Sequence, residues 1–116
     1  VKTIAVDWDG TLVKYDGWKG ACIYGAPIPT MVQRVHDWLR DGHEVIIFTS
    51  RVSMEFPISQ IAEELKTIDV ALHDMGLPPL FVTANKLSRI DEFWDDRAIG
   101  VARNTGELIT SVQIYS

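Results

Sequence analysis

Lys2-Thr3-Ile4-Ala5-Val6-Asp7-Trp8-Asp9-Gly10-Thr11-Leu12 opens the chain with an apolar run that stops abruptly on two acids and a glycine. Lys2 to Val6 is short and β-branched, so it reads as a buried strand ending at Asp7. The next twenty residues, Gly10 to Pro29, hold Gly17, Gly20, Gly25, Pro27 and Pro29 among aromatics. That composition predicts a structured loop or flap at about 12–29. Beyond it Met31, Val32, Val35, Trp38 and Leu39 recur at helical spacing, with Thr30 expected as N-cap and Gly42 just past the end. Glu44 to Phe48 (EVIIF) is a second buried strand that ends at Thr49.

A longer apolar stripe follows, through Ile58, Ile61, Ala62, Leu65, Ile68, Leu72 and Met75. Pro57 suits its first turn and Gly76 its C-terminal cap. Leu80 to Val82 and Ile90 to Trp94 are expected as the third and fourth strands. In the tail, Ala98 to Val101 and Ile109 to Ile114 flank a turn at Asn104-Thr105-Gly106. Strands alternating with helices predict a mainly parallel, Rossmann-like sheet with helices on both faces, a three-layer α/β/α sandwich. With 116 residues the chain fits one domain, spanning 1–116, and its 47% apolar content suffices for one core.

The chemistry concentrates where such sheets bind ligands, beyond the carboxyl ends of the strands. Asp7 and Asp9 follow the first strand, Thr49 and Ser50 the second, Lys86 the third, and Asp95 and Asp96 the fourth. Four carboxylates at one edge repel one another unless a cation joins them. Mg²⁺ is the usual choice where a few carboxylates share the ion with water and a phosphate. Lys86 and the Thr49 hydroxyl are then placed to hold phosphoryl oxygens, and phosphoryl transfer needs chiefly positioning and charge neutralisation.

These segments resemble the haloacid dehalogenase (HAD) superfamily. Val6-Asp7-Trp8-Asp9-Gly10-Thr11-Leu12 is similar to its first motif, two aspartates one residue apart followed by Gly-Thr. Ile46-Ile47-Phe48-Thr49-Ser50-Arg51 resembles the second, Lys86 stands where the third places its lysine, and Phe93-Trp94-Asp95-Asp96-Arg97 is similar to the fourth. The resemblance covers about residues 2 to 101. It implies a phosphatase that cleaves phosphate monoesters through an aspartyl-phosphate on Asp7. Asp9 would protonate the leaving oxygen and later activate water, with Gly10 permitting the turn between them. Thr49 would bind the phosphoryl group and Lys86 neutralise it. The Asp7 carboxylate, the Asp9 backbone carbonyl, Asp95 and Asp96 would hold Mg²⁺. Gly10, Ser50 and Arg51 are expected along the substrate, although an ion pair with a neighbouring carboxylate is the alternative for Arg51 and for Arg97. The short flap leaves no room for a lid domain, so the chain looks like a capless member, with Tyr15, Trp18, Lys19 and Tyr24 as local substrate contacts.

Other readings fit less well. Leu12 stands where a calcium-binding EF-hand loop needs glycine. A response-regulator module would carry its phosphorylated Asp at the end of a later strand, where this chain has none. A non-catalytic module that kept Mg²⁺ and phosphate binding is the remaining alternative. His36, His43 and His73 lack zinc spacing. The lone Cys22 allows no internal disulfide and gives no sign of an oxidising compartment. A net charge of −5 gives no reason to expect tight duplex binding. A small phosphorylated substrate of the phosphosugar or nucleotide class is expected over a nucleic-acid end. No membrane span or signal pattern is seen, so a cytoplasmic protein is expected. A homo-oligomer in which a neighbour covers the site stays open.

Overall fold

The computed structural model describes residues 1–109. Strands β1 (Thr3–Asp7), β2 (Glu44–Phe48), β3 (Phe81–Thr83) and β4 (Glu92–Trp94) form one sheet in the order β3-β2-β1-β4, with every pair parallel. Helix α1 (Pro29–Arg40) joins β1 to β2, and α2 (Ile58–Asp74) joins β2 to β3. The chain is thus a single α/β domain with a parallel Rossmann-like sheet, as the alternation of elements predicts. Among the described residues no helix is long and apolar enough to cross a membrane.

Register decides which side chains share a face. Ile4 pairs with Val45, and Val6 with Ile47 and Trp94. Their face carries the core, where they meet Met31 and Val35 of α1 and Ile68 and Leu72 of α2. Each fully buried aliphatic side chain there contributes about 1.5–3 kcal/mol over its exposed state. Trp38 of α1 also packs on Trp94 of β4, ring centroids 5.0 Å apart.

Both helices therefore lie on one face. Right-handed crossovers require this, because β1 to β2 and β2 to β3 step the same way across the sheet. The return from β3 to β4 steps the other way and crosses the opposite face, which holds Ala5, Ile46, Phe81 and Phe93. Lys86 and Arg89 of that crossover lie over the Phe93 and Phe81 rings at 5.2 and 6.0 Å. The layer expected to be helical on this second face is, among the described residues, this irregular segment.

Boundaries differ in small ways. The first and third strands run one residue later than expected, and the fourth starts at Glu92 rather than Ile90. Helix α1 starts at Pro29 with Ile28 as its N-cap, and no side chain caps it; Thr30 falls inside. A proline's preset φ and missing N–H suit the first helical turn and outweigh the hydroxyl. The apolar stripe of α2 is also re-phased. Ile58 and Leu65 are exposed, whereas Glu64 is fully buried in line with Ile68 and Leu72. Gly76, at φ +76°, closes α2 as anticipated: its N–H donates to the His73 carbonyl, and the Leu77 N–H to that of Leu72. In the tail, Val101 and Leu108 form one antiparallel bridge around the expected turn. The last expected strand, 109–114, lies outside the described residues beyond Ile109.

Candidate active site

All four strands run the same way, so their carboxyl ends meet at one edge. Asp7 ends β1, and Asp95 and Asp96 follow β4, which pairs directly with β1. Carboxylate oxygens of Asp7, Asp95 and Asp96 lie within 4.8 Å of one another. The Asp7 carboxyl is pushed up from its ordinary 3.8 to about 7, first by burial, then by the charge of Asp95 and a hydrogen bond with Asp96. Burial acts most, and the neighbouring acids, with no counter-charge beside them, add to it. Three hard oxygen donors that repel one another are a donor set that fits Mg²⁺.

Asp96 is held in place by Thr11. The Thr11 hydroxyl donates to the Asp96 carboxylate at 3.1 Å and accepts from the Asp96 N–H at 3.1 Å. Gly10 makes room for this contact. A Cβ at residue 10 would run into the Asp96 carboxyl well inside contact distance, and the φ of +83° is itself strained for any other residue.

The Asp9 carboxylate is engaged by Arg51 rather than by the trio. Both its oxygens take a fork from Arg51, Nε to Oδ2 at 2.7 Å and the second amino group to Oδ1 at 3.0 Å. Arg51 is only 3% exposed. Its remaining donors reach Glu64 Oε2 at 3.1 Å and the flap carbonyls of Gly20 and Ile23. The Trp18 and Tyr24 rings flank the guanidinium, each centroid 4.6 Å from its central carbon. Of the two readings offered for Arg51, the structure displays the ion pair with neighbouring carboxylates. Its forked donors are taken up by protein groups.

Thr49 is buried at the end of β2 and starts a 3₁₀ turn, Ser50–Val52. Its hydroxyl accepts the Arg51 N–H at 3.2 Å and keeps its own hydrogen for a ligand. A cleft of about 140 Å³ joins Asp7, Asp9, Thr49, Ser50, Arg51 and Asp96 to a rim of Tyr15, Trp18, Phe56 and Arg97. Ligand pockets that engulf a drug-sized molecule run from roughly 300 Å³ upward. This one is smaller, but a second cavity of about 350 Å³ shares Asp7, Ser50 and Arg97 with it and adds Asp95.

Lys86 forms no ion pair with this cluster. It has no hydrogen bond or ion pair among the described residues, and its Nζ stands 5.2 Å above the Phe93 ring. Two residues that matter here, Glu64 and Tyr24, carry roles the sequence did not reveal. A signal existed for Glu64: a carboxylate in step with Ile61, Ile68 and Leu72 has to be buried, and a buried acid needs a partner.

No family model matches the chain, and none of the curated proteins is similar to it. One solved structure is similar, described as the structure of the conserved protein coded by locus from Bacteroides thetaiotaomicron. It shares 24% identity, covers 97% of this chain and 85% of its own, and superposes with a TM-score of 0.54. At that identity the likeness speaks for the α/β fold alone.

Proposed function

We propose that this chain is a Mg²⁺-dependent phosphohydrolase of HAD type that cleaves phosphate monoesters. The observation that carries the reading is the trio Asp7, Asp95 and Asp96, crowded at the sheet edge beside a hydroxyl free to donate. Asp7, Asp95, Asp96 and the Asp9 carbonyl would hold the ion, which supplies charge neutralisation to the phosphoryl oxygens. The Asp7 carboxylate attacks phosphorus, and the bond to the leaving oxygen breaks. Asp9 gives that oxygen its proton, then takes one from the water that hydrolyses the acyl phosphate. For this donation Asp9 must first take up a proton from solvent, on one of the roughly two acceptor sites of its carboxylate that Arg51 leaves free. Thr49 donates to a phosphoryl oxygen, and Lys86 serves as its cation once it swings from the Phe93 ring.

Asp7→Asn keeps the shape and removes the attacking charge. Phosphate release from a panel of monoesters with Mg²⁺ is expected to fall by at least about 10³-fold. Retained turnover in the variant would defeat the assignment.

One observation favours a second reading, a module that binds Mg²⁺ and phosphate without turnover: Lys86, the expected phosphate cation, lies over Phe93 and pairs with none of the trio. Mg²⁺ binding by calorimetry, with no phosphate released from any ester, would select it.

A further inference from the structure

We infer that Glu64 is a positioning residue: through Arg51 and the flap it fixes the Asp9 carboxylate where a leaving oxygen must be protonated. The inference rests on the phosphohydrolase reading above and adds to it a residue that touches neither substrate nor metal.

Glu64 is fully buried in α2, where an acid is costly unless every oxygen is engaged. Its Oε2 accepts from Arg51 at 3.1 Å. Its Oε1 accepts from the Tyr24 hydroxyl at 2.5 Å and from the Cys22 N–H at 3.2 Å. One carboxylate thus holds two things at once, the guanidinium that grips Asp9 and the backbone of the flap. The flap in turn gives Arg51 the Gly20 and Ile23 carbonyls. Arg51 is a planar fork, so its orientation is set by all of these partners together. Without Glu64 the guanidinium loses its inner anchor, and the Asp9 carboxylate turns with it. Displacements of about 1 Å at a reacting group cost around 10²-fold.

A merely structural role would damage every substrate alike, whereas a role in aligning the acid depends on the leaving group. A nitrophenolate departs without much help from a proton; an alkoxide does not. kcat/KM reports the steps up to that departure, so it isolates the acid function of Asp9 from its later function as a base.

The experiment measures kcat/KM of the intact protein with Mg²⁺ on p-nitrophenyl phosphate and on a simple alkyl phosphate. Glu64→Gln is expected to lose about 10²-fold on the alkyl ester and less than about threefold on the aryl ester. Its Mg²⁺ affinity should stay unchanged, because Glu64 contacts none of the three clustered acids. Tyr24→Phe removes one donor to Glu64 and should show the same selectivity at about tenfold, which keeps the test alive should Glu64→Gln fail to fold. Equal losses on both esters, or no loss on the alkyl ester, would overturn the role of Glu64 alone. Wild-type protein that hydrolyses neither ester would bring down the phosphohydrolase reading and this inference with it.

Discussion

Two groups of acids sit at the same sheet edge and differ in what balances them. Asp9 and Glu64 share a buried arginine flanked by two aromatic rings. Asp7, Asp95 and Asp96 face one another, and Asp7 is driven to retain its proton to about pH 7. One half of the edge is finished by the protein itself. The other has no cation among the described residues to balance it, and on the proposed function an ion from outside would do so. Burial seals the first group, whereas the second is partly open to solvent.

The comparison breaks most sharply at Arg51. Arg51→Ala leaves Glu64 buried without its cation, and breaking such a pair typically costs about 3–5 kcal/mol. Urea unfolding should show that loss; a change near zero would mean that water reaches Glu64 and that the first group is not sealed.

The second group predicts a pH effect with a definite sign. The Asp7 carboxyl is raised in the folded chain, so the native state binds more protons than the unfolded one between about pH 4 and 7. Its contribution is fully present below that window and is lost as pH rises through it. Mg²⁺ replaces the proton, so the shift in urea midpoint on adding Mg²⁺ should be larger at pH 8 than at pH 5. Equal shifts at both values would show that the trio is not where the ion binds.

A smaller effect is expected at Gly10. Gly10→Ala imposes a positive φ on alanine, worth about 1–3 kcal/mol, and pushes on the Asp96 carboxyl. Weaker Mg²⁺ binding by calorimetry, beyond the loss in stability, would tie the glycine to the trio; unchanged affinity would confine its role to the turn.

How much of this was legible in the sequence follows from the range of the signals. The Glu44–Phe48 strand falls where its sequence, one acid and four apolar residues, places it, because a central parallel strand is buried on both faces. The edge strands β3 and β4 have three residues each, too few for a pattern to fix their ends. The meeting of Asp7 with Asp95 and Asp96 was readable from their places at strand ends. An ion pair of Arg51 with a carboxylate was also legible as one alternative, but not the identity of its partners: two of them are backbone carbonyls, which a sequence does not distinguish, and Glu64 lies on another element. The face left without a helix was hidden in strand order, which fixes on which side each crossover falls.

That strand order also sets what the acid trio depends on. β1 meets β2 across a separation of about forty residues, but it meets β4 only from the far end of the domain. Asp7 gains Asp95 and Asp96 as neighbours only through the pairing of β1 with β4. The carboxylate crowding is therefore a property of the finished sheet.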